Sequence, residues 1–181
     1  MALDIRPEGT VPVPLPPDPR ALDRAAELLR AASRPVVIAG LQCERPEVAK
    51  WLLAFAEALP VPVLTTSQAK GVLPESHPLA LGIFSGGDQD AEVLGLADLI
   101  VGFGLEPEEL NSRRWPYSAL VVCLSRTAHG GHQFTPLVEV VGDLALILEE
   151  LAPRLRRQTQ VDWDMFQLDR LRKARQGTPS S

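Results

Sequence analysis

The chain has 181 residues, 45% of them apolar, which fits one domain with a real core and argues against global disorder. Its formal net charge is -5 at a sequence pI near 5.2, and this argues against nucleic acid as the main partner, because neutralising phosphates takes clustered Lys and Arg. No apolar run approaches the roughly 20 residues of a bilayer span, and no basic stretch followed by an apolar one marks a secretory leader.

Residues 1–19 hold Pro7, Pro12, Pro14, Pro16, Pro17 and Pro19. Proline has a fixed φ and no amide hydrogen, so the stretch reads as an extended linker, and a linker implies something before it. Asp18-Pro19 opens a first helix as cap and first position, with Leu22, Ala25, Leu29 and Ala32 at helical spacing. Ser33-Arg34-Pro35 ends it. Val36-Val37-Ile38-Ala39, closed by Gly40, reads as a parallel strand buried on both faces. Pro46 starts a second helix whose apolar face carries Val48, Trp51, Leu52, Phe55 and Leu59.

Val61-Pro62-Val63-Leu64 is the next predicted strand, and Thr65 to Gly82 a long irregular connection. Asp88 or Asp90 caps a third helix with Val93, Leu94 and Ala97. Further strands are expected at Leu99-Ile100-Val101-Gly102, at Ala119 to Leu124 and at Val138 to Val141. Asp143 caps a helix with Leu144, Ile147, Leu148 and Leu151 that stops at Pro153. Trp163, Phe166, Leu168 and Leu171 give a weakly amphipathic stretch, and Gly177 to Ser181 a flexible end. Strands alternating with helices in this way imply a parallel sheet. The organisation expected is a linker over 1–19, an α/β domain over 20–153, and a helix or linker over 154–181 leading to a third domain that is missing here.

Cys43 and Cys123 are too few for a disulfide framework and sit beside predicted buried strands, so reduced core thiols and a cytoplasmic protein are expected. His129-Gly130-Gly131-His132 lacks the third and fourth ligand a Zn²⁺ site needs and reads as a mobile surface loop. His77 before Pro78 reads as a turn residue, and Lys70 as a surface cation. Arg154, Arg156, Arg157, Arg170, Arg172, Lys173 and Arg175 read as a solvated helix and tail, the alternative being a patch for an acidic partner.

Several segments, taken in order, resemble the central domain of thiamine-diphosphate-dependent enzymes of the acetolactate synthase, benzoylformate decarboxylase and pyruvate decarboxylase family. Leu3-Asp4-Ile5-Arg6-Pro7 is similar to the end of that family's first domain, and Arg34-Pro35-Val36-Val37-Ile38-Ala39-Gly40 to the first central strand. The most specific piece is Ala69-Lys70-Gly71-Val72-Leu73-Pro74-Glu75-Ser76-His77-Pro78-Leu79 with Gly82 after it. Ala97 to Gly104, Val140-Val141-Gly142-Asp143 and Trp163 continue the series, so the resemblance covers roughly Leu3 to Leu171. It implies a three-layer α/β fold: a parallel five- to six-stranded sheet with helices on both faces, Rossmann-like, of the DHS-like NAD/FAD-binding type.

The resemblance also implies what the chain lacks. In the family a glutamate of the first domain activates the cofactor, and a Gly-Asp-Gly segment with an Asn pair in the third domain holds its diphosphate and Mg²⁺. Here Gly87-Asp88 and Gly142-Asp143 are followed by Gln89 and Leu144. The implied function is a structural domain, not catalytic by itself, of an enzyme that decarboxylates or ligates 2-oxo acids. No catalytic residue, metal ligand or cofactor is expected in this chain. Thiamine diphosphate and magnesium belong to the parent enzyme, and the partners are flanking pyrimidine-binding and diphosphate-binding domains or subunits. A homo-oligomer is compatible with this reading.

Some family members hold FAD or ADP in this domain. The candidates for such a site are Gly40-Leu41-Gln42, Thr65-Thr66, Lys70, Gly82 and Gly102-Phe103-Gly104, at or near strand ends. Two departures argue against it. Side chains follow Gly40 where FAD-binding members often have consecutive glycines, and Leu105-Glu106-Pro107-Glu108-Glu109 stands where they commonly place an arginine. The alternatives to a structural domain are a stand-alone FAD- or ADP-binding module, resembling that of electron-transfer flavoproteins, and a regulatory protein with no ligand.

Overall fold

Short apolar runs flanked by turn residues line up into one sheet. The strands are β1 (Pro35–Ala39), β2 (Val63–Thr65), β3 (Ala80–Ile83), β4 (Leu99–Phe103), β5 (Leu120–Ser125) and β6 (Val138–Val141). They pair in the order β3-β2-β1-β4-β5-β6, every pair parallel. The computed structural model describes residues 14–110, 115–129, 133–155 and 161–176. The first prolines and Leu3 to Pro7, the Gly130-Gly131-His132 part of the histidine motif, Arg156 and Arg157, and the Gly177 to Ser181 end all lie outside these residues. β1 and β4 are buried at every position, as central strands covered on both faces must be.

The helices are α1 (Pro19–Ala31), α2 (Pro46–Ala58), α3 (Asp88–Leu96), α4 (Leu144–Arg154) and α5 (Met165–Gln176). Asp18 caps α1 by accepting from the Arg20 amide at 3.1 Å, and Asp143 caps α4 by accepting from the Leu146 amide at 3.1 Å. α1, α2 and α4 pack together over one face of the sheet. Right-handed crossover from β3 to β4 puts α3 on the other face. An aromatic cluster of Phe84, Trp115, Tyr117 and Phe134, with ring centroids 4.5 to 6.4 Å apart, packs against the core beside it.

The sheet has one strand more than the five read directly from the sequence. Ala80–Ile83 pairs with β2 inside the connection expected to be irregular. Its sequence gives no strand signal because it is a short edge strand, carries Gly82 at φ +99°, and has a register shift against β2 between Val63 and Leu64. Trp51, expected on the apolar face of α2, is 36% exposed. The buried stripe runs through Val48, Leu52, Phe55 and Ala56, and a rotation of about 100° per residue leaves Trp51 at its border. α4 runs through Pro153 to Arg154 instead of stopping there. Neither Asp88 nor Asp90 is the cap residue of α3. Gly87 is, and Asp90 reaches back from the third helical position to accept from the Ser85 and Gly86 amides, each at 2.7 Å.

Asp90 also anchors the C-terminal helix. Arg175 of α5 donates to its carboxylate at 2.8 Å, to the Leu81 carbonyl at 2.6 Å and to the Ile83 carbonyl at 2.5 Å. One guanidinium thus covers carbonyls of the strand that ends the sheet. Arg172 donates to the Ser76 and His77 carbonyls, so two members of the basic cluster turn inward where a solvated face was expected. Trp163 donates from Nε1 to the Pro35 carbonyl at 2.8 Å, and Leu168 is fully buried.

Asp90 is 0% exposed, so losing its cation would leave a carboxylate buried without its ion-pair partner. Arg175→Ala is expected to lower stability by about 3–5 kcal/mol in urea unfolding. The double variant Asp90→Asn/Arg175→Met is expected to lose less than Arg175→Ala alone, because no buried charge remains.

Candidate functional site

The chain leaves β1 toward β2 and β3 on one side, and leaves β4 toward β5 and β6 on the other. In an open parallel sheet, connections diverging from neighbouring strands leave a crevice at their carboxyl ends, where such folds bind ligands. β1 and β4 are those neighbours, paired from Pro35↔Leu99 to Ala39↔Phe103. Gly40, Leu41 and Gln42 follow β1, Thr65 and Thr66 close β2, and Gly102 and Gly104 lie at the end of β4. The fold brings these seven candidates together at one end of the sheet.

Gly82 and Lys70 do not join them. Gly82 lies in the edge strand, where an added Cβ would sit 3.7 Å from Nε of Arg175. Lys70 is exposed and faces Glu75 at 3.8 Å.

The crevice is filled from within. Glu109 lies in a short 3-10 turn, Pro107–Leu110, that follows β4. Its Oε1 accepts from the Leu41 amide at 2.8 Å and from the Thr66 hydroxyl at 2.5 Å, and its Oε2 accepts from the Glu106 amide at 2.7 Å. Gly40 has no side chain to prevent this approach. A Cβ there would lie 2.5 Å from Glu109 Oε2 and 2.6 Å from the Gly104 carbonyl oxygen.

Gln42 makes a second tie. Its Nε2 donates to Glu106 Oε1 and to Ser125 Oγ, both at 3.1 Å, and its Oε1 accepts from the Arg126 amide at 2.8 Å. The amides of Gly40 and Gln42 donate to the Phe103 and Gly104 carbonyls, and that of Thr66 to the Ala39 carbonyl. Gly104, at φ +64°, turns the chain where an added Cβ would come within 3.0 Å of Cys43 Sγ and of Gln42 Cβ. Gly102 leaves room for the Leu105 side chain, which a Cβ would approach to 2.9 Å.

These residues do not fit a nucleotide diphosphate. The Leu41 and Glu106 amides and the Thr66 hydroxyl are taken by the Glu109 carboxylate, and the Gly40, Gln42 and Thr66 amides by backbone carbonyls. Of the two acidic residues that follow a glycine, Asp143 accepts from the Leu146 amide at the start of α4, and Asp88 is the first residue of α3. Among the described residues no group of three or more His, Cys, Asp or Glu could hold a metal ion.

The remaining candidates have structural partners. His77 accepts from the Leu79 amide at 3.1 Å and lies 3.0 Å from Glu57 Oε1, as a turn residue would. His129, expected on a surface loop, is buried and stacks on Phe134 at 4.4 Å. The Cys43 thiol is buried against the Phe103 carbonyl, and burial pushes it far above the usual thiol range. Burial, then the charge of Glu139, pushes Cys123 up to about 12. A second concavity, about 340 Å³, lies at the amino ends of β5 and β6 against Trp115, Tyr117, Leu120, Phe134 and Leu137; among the described residues Tyr117 is the one ionisable side chain in its lining.

Glu109 and Ser125 were not read from the sequence as parts of this site. The acidic run after Gly104 signals repulsion of a diphosphate, but which carboxylate turns back onto β1 depends on the turn that follows β4.

The comparisons decide the family. The model of the family described as "Thiamine pyrophosphate enzyme, central domain" matches residues 22–151. The chain belongs to this family. A sulfoacetaldehyde acetyltransferase from Rhodobacter capsulatus is 33% identical over 129 residues, covering 66% of this chain and 22% of that protein. An acetolactate synthase from Mycobacterium bovis is 30% identical over 146 residues, covering 77% of this chain and 24% of that protein. The central domain thus spans about a quarter of the length of the curated relatives it matches. The crystal structure of benzoylformate decarboxylase from Polynucleobacter necessarius superposes with a TM-score of 0.68 at 23% identity, over 88% of this chain and 31% of that one.

The buried thiols give a pH prediction. Unfolded thiols ionise near pH 9, whereas both folded thiols hold their protons well above it. The folded chain therefore binds more protons through this window, and stability falls as pH rises from about 9 toward about 12, by up to about 1.4 kcal/mol per pH unit per thiol. Urea unfolding over that range is expected to show a shallower decline for Cys123→Ala than for the unsubstituted chain. Neither thiol should react with Ellman's reagent until the chain unfolds.

Proposed function

We propose that this chain is the non-catalytic central domain of an enzyme that uses thiamine diphosphate and Mg²⁺ to decarboxylate or ligate 2-oxo acids. The observation that carries this reading is the family match through residues 22–151, in a chain whose Glu109 carboxylate takes the Leu41 and Glu106 amides and the Thr66 hydroxyl of the crevice. Flanking pyrimidine-binding and diphosphate-binding domains or subunits would supply the activating glutamate and the metal-bridged diphosphate site. Residues 20–153 would form the spacer between them, with the segment from residue 154 leading toward the third domain. The cofactor provides the electron sink for the carbanion, and the proteins around it provide orientation and electrostatics. Among the described residues no helix is long and apolar enough to cross a membrane, and a cytoplasmic setting is part of the same reading.

Calorimetric titration of the 181-residue chain with thiamine diphosphate and MgCl₂ is expected to show no saturable binding, and pyruvate or benzoylformate should not be consumed. The full open reading frame should consume a 2-oxo acid only when both cofactors are supplied. Saturable cofactor binding by the isolated chain, or cofactor-independent activity of the full frame, overturns the reading.

A further inference from the structure

The geometry points to Glu109 as an internal substitute for a ligand phosphate: its carboxylate occupies the anion position of the switch-point crevice and completes the domain without a nucleotide. Three donors from separate stretches converge on this one group: the Leu41 amide after β1, the Thr66 hydroxyl after β2 and the Glu106 amide after β4. Convergent backbone and hydroxyl donors at the carboxyl ends of parallel strands are what a phosphate requires. Here a tethered carboxylate meets that requirement, through bonds of the charge-assisted kind.

The arrangement is more than a local turn cap. The Glu109 amide does donate to the Glu106 carbonyl at 3.0 Å, which closes the turn. The side chain goes further, to two other strand ends, and reaches them because residue 40 is glycine. Gln42, tied to Glu106, Ser125 and Arg126, fixes the far side of the same segment. A nucleotide would have to displace a carboxylate held on its own chain while meeting the charges of Glu106 and Glu108. The closure does not depend on which reaction the longer enzyme performs.

The test is thermal unfolding of the 181-residue chain and its Glu109→Ala variant, in sodium formate and in sodium chloride of equal ionic strength. Formate is a free carboxylate small enough for the vacated position. The variant is expected to melt about 6 °C or more below the unsubstituted chain in chloride. Formate should restore part of that loss in a saturable way, with no comparable effect on the unsubstituted chain. A role confined to the turn would give the loss without the formate response. Equal melting of the two chains, equal formate effects on both, or uptake of FAD or ADP by the unsubstituted chain overturns the proposal. If Glu109→Ala does not fold, Thr66→Val decides. It removes the hydroxyl donor that reaches Glu109 from the end of β2 and leaves the turn contact to Glu106 in place. A lower melting temperature supports the proposal, and melting like the unsubstituted chain overturns it.

Discussion

A parallel sheet must be covered on both faces, and that requirement organises this chain. α1, α2 and α4 cover one face. For the other, the β3-to-β4 crossover supplies α3, and the aromatic residues Phe84, Trp115, Tyr117 and Phe134 pack beside it. The edge at β3 is closed by α5 through Arg175, whose three contacts fall on Leu81, Ile83 and Asp90. The last described helix is therefore part of how the sheet is finished, as well as the route by which the chain leaves it.

The same economy governs the crevice between β1 and β4. An open α/β sheet leaves backbone donors at its switch point, and buried donors without partners are costly. One solution is a bound ligand. This chain uses its own side chains, chiefly Glu109 and Gln42, with Gly40 giving the space for the approach. Glu109 and Gln42 thereby tie the ends of β1, β2, β4 and β5 to one another.

Much of this was legible in the chain itself. The β-branched runs at Val36 to Ala39 and Leu99 to Val101, the caps at Asp18 and Asp143, and the alternation of strands and helices follow from local propensity and periodicity. So does the placing of the glycines at strand ends. The connection from Thr65 to Gly82 was harder, because an edge strand of four residues containing glycine carries almost no periodic signal. Trp51 differs from the periodic expectation for a related reason: at the border of a helical stripe, one residue's rotation decides between core and surface.

The order of the helices and of the five strands other than β3 was thus determined by sequence alone, since it rests on interactions between residues near one another in the chain. Which distant groups meet was decided by tertiary structure. Nothing local marks Arg175 as the partner of Asp90, 85 residues away, or Glu109 as the acceptor for Leu41, 68 residues away. Those pairings arise because sheet order and crossover handedness bring the segments together, and only then can burial and charge select the groups that bond.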